Sequence, residues 1–302
     1  MEDLMYHTLE YIEFNEILRL LNFPPEIQES IRTYYVKHRE WISRQSESAY
    51  EGEAPNFPLC KRKPYTRLII VIYKLIEVRK KYKNLSIPDS IFQNTISDVF
   101  LRAQLYGKKT NKIGLDIKSV SWFRHIFNLV IFKIGTIQFQ LFHMIYLEEE
   151  FLGEAYMIFP GEWKQQLPPD VPVINVHIQK GADLTPEAIS NSFIMAAEFF
   201  RQYFPEHGFK AFICYSWLLY PGLKELLPKD SRIVQFADRF TIISSVQDNE
   251  DAIRAIYGHR YRAKADYPQE TSLQQKAFIN RNLLGFGCGI ILRFDSSARG
   301  CS

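Results

Sequence analysis

The chain has 302 residues, 46% of them hydrophobic and 15% aromatic, with a net charge of +3. Apolar content this high excludes intrinsic disorder, and four cysteines in this length exclude a small disulfide scaffold. The apolar runs Leu68–Tyr73 and Ile126–Phe132 stop at Lys74 and Lys133, far short of the ~20 residues of a membrane span. The acidic start Met1-Glu2-Asp3 is unlike the basic start of a signal peptide. A cytoplasmic protein of roughly two domains is the expectation.

Residues 1–110 predict helices. Leu9, Ile12, Phe14, Ile17, Leu20 and Leu21 recur at helical spacing, and Asn22-Phe23-Pro24-Pro25 breaks the run. Ile27, Ile31, Tyr34, Tyr35, His38 and Ile42 mark a second helix, followed by a polar loop over 45–64. A third helix spans about Tyr65 to Lys83 and is apolar all round in its first half. Its β-branched run Ile69–Ile72 leaves a strand as an alternative. A fourth helix spans about Pro88 to Tyr106, and Gly107–Gly114 reads as a linker. Domains are therefore expected at 1–114 and 115–302.

Charge is unevenly spread. Residues 1–60 carry 5 basic and 11 acidic side chains, whereas 61–83 carry 9 basic and 1 acidic. The basic segment would either meet an anionic partner or form a solvated helix end that opposes the macrodipole. No pattern of a nucleic-acid-binding motif accompanies it, so no nucleic-acid partner is expected.

After residue 120 the pattern becomes mixed. Strands are predicted at Asn128–Ile134, Ile137–Tyr146, Pro172–Ile178, Phe209–Leu219, Arg232–Phe236, Phe240–Ser244 and Gly289–Phe294. Helices are predicted at Pro186–Phe204, Gly222–Leu227, Asp248–Tyr257 and Ser272–Leu284. Thr271-Ser272 would cap the last of these. Gly285, Gly287 and Gly289 follow a helix instead of a strand, which suits a close backbone approach or a turn better than a nucleotide loop. Cys301 falls in a polar tail, Ser296–Ser302, expected to fray.

One segment carries chemistry. In Val171–Gln179, alternation puts Ile174, Val176 and Ile178 on one face and Val173, Asn175, His177 and Gln179 on the other. A polar face on an internal strand points to a cleft or to a buried hydrogen-bond network. The strand leads through Lys180-Gly181-Ala182-Asp183 to Thr185 and Pro186, an N-cap and a first helical residue. Such a turn can hold a phosphate on free N–H groups, but Asp183 and Glu187 place negative charge there. In Phe209–Leu219, Cys214 and Ser216 share one face, and Ile213, Tyr215 and Trp217 the other. If the two strands are parallel neighbours, His177 could approach Ser216 or Cys214 and act as general base. A satisfied structural histidine is the plainer alternative.

No CxxC or HExxH spacing occurs, so no metal is expected. Tyr215-Ser216-Trp217 lacks the glycines of a hydrolase nucleophile elbow, and Cys214 in an apolar run reads as an inert thiol.

The runs NVHIQKGADLTPEAISNSF, AEFFRQYFPEHGFKAFICYSWLL, LLPKDSRIVQFADRF, TSLQQ and GFGCGIIL, with the earlier IGTIQFQL, resemble the bacterial acyltransferase-domain proteins. These pair a helical N-terminal domain with a GNAT-like C-terminal domain. The resemblance covers about residues 120–294 in order. It implies an α+β (mixed α/β) fold with a helical N-terminal domain and a central mixed, mostly antiparallel sheet flanked by helices. It also implies N-acyl transfer from an acyl-CoA or acetyl-CoA co-substrate to a small-molecule amine. The thioester would enter between Pro172–Ile178 and Phe209–Leu219. His177, Ser216 and Tyr257 become candidates for acid–base work. Ile178, Gln179, Lys180 and Gly181 become candidates for the cofactor, and Asn175, Cys214, Trp217 and Gln235 for the substrate. Two departures stand out: the Q/R-x-x-G-x-G/A pyrophosphate loop is absent, and Gln275 stands where the family has Arg after TSLQ. A non-catalytic ligand-binding or sensor module on the same fold is the competing expectation.

Overall fold

The computed structural model describes residues 2–147, 156–258 and 267–292, with side chains from residue 8 onward. The tail 296–302 with Cys301 lies outside them. Two compact units divide the chain, 1–133 and 134–302.

The first unit is helical: α1 Glu2–Leu20, α2 Pro25–Glu47, α3 Pro64–Asn84, α4 Asp89–Thr110 and α5 Ile117–Phe127. α3 is the hub, packed on by α1, α2, α4 and α5. That explains its composition, since Leu68, Ile69, Ile70, Val71 and Ile72 are all fully buried. A β-branched run inside a ring of four helices gains more from burial than it loses in helix propensity, so the strand alternative fails. In α1 the buried stripe is Phe14, Ile17, Leu18 and Leu21, while Leu9 and Ile12 are about half exposed (54% and 47%).

The boundary expected after Gly114 moves to Lys133/Ile134. α4 runs through Gly107 to Thr110, where Asn111 closes it in the left-handed conformation (φ 53°). α5 was not legible as a helix. Asp116 starts it by accepting from the Ser119 N–H, and Val120, Phe123 and Ile126 bury one face.

Part of the charge asymmetry is met inside this unit. Arg79 pairs with Glu16, Lys80 with Glu13 at 2.9 Å, and Lys81 with Glu77 at 2.7 Å. The basic end of α3 thus meets acidic side chains of α1 and of its own last turns.

The second unit completes a six-stranded sheet of order β1-β2-β3-β4-β6-β5. Its strands are β1 Ile131–Ile134, β2 Ile137–His143, β3 Pro172–His177, β4 Ala211–Ser216, β5 Thr241–Val246 and β6 Phe286–Leu292. β2/β3, β4/β6 and β5/β6 are antiparallel and β3/β4 is parallel. The helices are α6 Gly161–Gln166, α7 Pro186–Tyr203, α8 Leu223–Leu226, α9 Arg232–Ala237, α10 Glu250–Tyr257 and α11 Ser272–Ile279. The α+β expectation holds.

Arg232–Phe236, predicted as a strand, is the helix α9. Its Ile233-Val234 pair misled, because one helical turn is enough to bury Val234, Phe236 and Ala237 together. β4 also ends earlier than predicted, at Ser216, and Trp217–Leu219 forms a 3-10 turn. Register fixes the two faces of the sheet. Phe139, Phe212 and Phe193 of α7 pack edge to face at 5.0–5.7 Å, so α7 covers one face. On the other, Val173, Ile213, Cys288 and Ile290 pack with Met144, Tyr146, Met157, Phe159 and Leu167.

Candidate functional site

The parallel pair β3/β4 is where the site is built. Ile174 pairs with Phe212 and Asn175 with Ile213. β3 then runs on to His177 and β4 to Ser216 with no further pair between them, so the two strands part at their C-terminal ends. β4 stays paired with β6 as far as Ser216.

Directly opposed residues share a face in both ladder types. β2/β3 register places Gln138 opposite His177 and Gln140 opposite Asn175. Across β4, Asn175 faces Ile213, so Tyr215 continues that side. One face at the opening therefore carries Gln138, Gln140, Asn175 and His177. The alternation IQFQL places two glutamines on a buried strand, where an apolar residue would be the ordinary choice: Gln138 is 1% and Gln140 7% exposed.

Gln140 Oε1 lies 2.7 Å from His177 Nε2. Asn175 is 6% exposed, and its buried Oδ1 has no hydrogen-bond partner. The buried Oε1 and Nε2 of Gln179 also lack partners. An orphaned buried polar group costs about 1–3 kcal/mol, and here three such atoms lie on β3 and the residues just after it.

The β4 candidates are committed elsewhere. Phe212, Cys214 and Ser216 lie on the opposite face from His177, so the expected approach of His177 to Ser216 or Cys214 does not occur. One residue of alternation decides this. Ser216 Oγ accepts from the Leu218 N–H at 3.2 Å and caps the 3-10 turn. Cys214 is fully buried, and burial pushes its thiol far above the ordinary range. Trp217 has left the strand and packs with the cluster of Leu223, Ala252 and Tyr257. Tyr257 is 6% exposed and donates to the Gln274 carbonyl at 2.7 Å, with its phenol raised by burial. It is a core residue. Gln235 is half-buried on α9.

The loop after β3 is a tight turn. Ala182 N–H donates to Gln179 O, and Gly181 supplies the positive φ of 82° that the turn requires. Lys180 and Gly181 are exposed, while Ile178 and Gln179 are half-buried. Asp183 Oδ1 takes the Thr185 N–H, and Thr185 itself makes no side-chain cap. α7 buries Ile189, Phe193, Ala196, Ala197 and Phe200, as its periodicity predicts. Two cations missed in the sequence come to the start of α7. Arg239 donates to Pro186 O at 2.7 Å, and Arg232 lies 3.8 Å from Asp183. No spacing signals them, because the turns after β4 bring them there.

Thr271 does cap α11, reciprocally with Gln274, and Gln275 donates to Gln269 O. Gly287 and Gly289 sit on β6 where a Cβ would come within 2.7 Å of Leu219 O and 2.8 Å of Phe240 Cβ, respectively. No group of three or more metal-ligating side chains occurs among the described residues, nor is any described helix long and apolar enough to cross a membrane.

A mixed sheet whose parallel pair opens at its C-terminal end, with a βα turn at the opening, defines a GNAT-like fold. Residues 131–284 match the family described as GNAT-like C-terminal domain, and 12–129 match the N-acyltransferase N-terminal domain. The chain belongs to the family that joins these two domains. Among solved structures, an acyltransferase in complex with decanoyl-CoA is similar at a TM-score of 0.70 and 20% identity, over 92% of this chain and 87% of that one. An acyltransferase with decanoyl-CoA and teicoplanin is similar at 0.67 and 19%, over 92% and 86%. A mutant acyltransferase with octanoyl-CoA is similar at 0.66 and 18%, over the same shares. A comparison with curated proteins finds no match.

Proposed function

We propose that the chain transfers an acyl group from an acyl-CoA thioester to an amine, with the thioester entering between β3 and β4. One observation carries this reading: the two strands part after Asn175/Ile213, and unpartnered buried polar atoms of Asn175 and Gln179 lie on that stretch of β3 and just beyond it. The amides of a pantetheine arm would satisfy both an acceptor and a donor there. Similar structures holding octanoyl-CoA, decanoyl-CoA and CoA support a CoA thioester as donor.

In the proposed reaction the amine nitrogen attacks the thioester carbonyl. A backbone N–H of β3 released from pairing with β4 would hold the developing oxyanion. His177 takes the proton from the attacking nitrogen. The C–N bond forms, the C–S bond breaks, and the CoA thiolate leaves and takes up a proton. Ser216 and Tyr257 have no part in this, because their hydroxyls serve the fold. Lys180, Arg232 and Arg239 would face the CoA phosphates in place of the missing glycine-rich loop. Asp183 offsets part of that charge.

Calorimetry with CoA, acetyl-, octanoyl- and decanoyl-CoA, followed by a thiol-release assay, tests the reading. The acceptors would run from small amines to amine-bearing glycopeptides, since one similar structure holds teicoplanin. Saturable binding and acceptor-dependent CoA release are expected. No binding at millimolar thioester would overturn the proposal. Binding without turnover on any acceptor would favour the ligand-binding module instead.

A further inference from the structure

We infer that the helical unit holds a binding site of its own, a cationic cleft that takes a small molecule carrying a phosphate monoester. The cleft has a volume of about 370 Å³ and lies between the loop after α2, the C-terminal half of α3 and the end of α5. Lys74, Glu77 and Lys81 line it from α3, Arg124 and Phe127 from α5, and Tyr50 from the loop. Its size is that of a small-molecule site, more than a bare ion needs. The inference does not depend on the acyl-transfer reading.

Charge selects the ligand. Of the basic segment 61–83, Arg79 and Lys80 are spent on acids of α1, but Lys81 and Lys74 share one carboxylate, Glu77, at 2.7 and 3.6 Å. The hydrogen bond from Lys81 holds that carboxyl below its usual range, so it is ionised at neutral pH. Arg124 is half-buried, and its guanidinium lies 5.9 Å from the Phe57 ring with no described carboxylate beside it. Glu51 and Glu53 flank Gly52 at the rim, but both are exposed and no described ion pair joins them to these cations. The lining side chains are thus three cations and one carboxylate, which leaves two positive charges. A phosphate monoester carries about −1.5 to −2 near neutral pH; a carboxylate or a sulfate ester carries less. A guanidinium can grip two phosphate oxygens, and lysines act as point charges. The rings of Tyr50 and Phe127 meet edge to face at 4.9 Å and give the cleft an aromatic wall for the body of the ligand. Lys74 and Lys81 also donate to Ser46 O at 3.0 Å and Phe127 O at 3.4 Å, carbonyls at the ends of α2 and α5. Helix capping accounts for these two lysines. It does not account for Arg124, or for the cleft between the three.

Calorimetry on the full chain tests this with phenyl phosphate and phenyl sulfate, which have nearly the same shape and differ in charge. Phenyl phosphate should bind saturably and on the order of 10-fold more tightly than phenyl sulfate. Arg124→Gln breaks no described hydrogen bond, so it should melt like the wild type, and it should weaken phenyl phosphate on the order of 10-fold. Glu77→Gln removes the one carboxylate of the lining and should tighten binding by about 2–5-fold. Lysines that only cap helices predict neither change. No saturable binding at millimolar phenyl phosphate, equal binding of phenyl sulfate, or unchanged affinity in Arg124→Gln would each overturn the inference. Should Arg124→Gln fail to fold, Glu77→Gln decides, and unchanged or looser binding there would overturn it. Turnover enters none of these readouts, so a failure of the acyl-transfer reading would leave them standing.

Discussion

β3 and β4 are parallel neighbours, and each carries polar side chains at the end where they part. On β4 every such group is committed: Ser216 caps a turn, Tyr215 bonds the Ile145 carbonyl, and Cys214 is sealed in the core. On β3, Asn175 leaves a buried oxygen unpartnered and His177 is held by a glutamine. The difference lies in the neighbours. β4 is paired with β6 as far as Ser216, and its side chains have served packing and capping. β3 loses its β4 partner after Asn175, and its face stays polar. Polar residues mark a functional site where the fold does not already use their hydrogen bonds.

The largest expected effect tests the β3 side. His177→Ala should lower turnover by roughly 10²–10⁴-fold if the imidazole is a general base, measured as CoA release by a folded variant; unchanged turnover would break the comparison. Next comes packing beside β4. Gly287→Ala puts a Cβ against a backbone oxygen that cannot swing away. It should cost about 1–3 kcal/mol in denaturant unfolding. Ser216→Ala should cost about 1 kcal/mol as a lost cap yet leave turnover within twofold; a large loss of activity would return Ser216 to the chemistry. Asn175→Val should be the reverse case, costing little in folding because an orphaned acceptor is removed, while weakening acyl-CoA binding by calorimetry. The smallest effect is an absence of reaction. Cys214 and Cys288, both buried with raised thiols, should resist alkylation at neutral pH until the protein unfolds. Rapid labelling of native Cys214 would mean that β4 opens.

Much of this was legible in the chain. Proline breaks and helical periodicity located α1 to α4, and alternation sorted the faces of β3 correctly. The Thr271 cap followed from local chemistry, and of the two readings of Gly287 and Gly289, close approach or turn, the strand β6 selects the first. Local signals were insufficient where burial chose between conformers, as in α5 and α9. They also gave no sign that Ser216 and Tyr257 bond backbone groups, Ser216 at the Leu218 N–H and Tyr257 at the Gln274 carbonyl.

By itself the sequence determined the two-part character of the protein and the polar face of β3, because both are periodic properties of short segments. The placement of Gln140 on His177, the separation of Cys214 and Ser216 from it, and the opening between β3 and β4 were decided by tertiary structure. Each depends on register between strands that are distant in the chain, and a shift of one residue would have reversed every face.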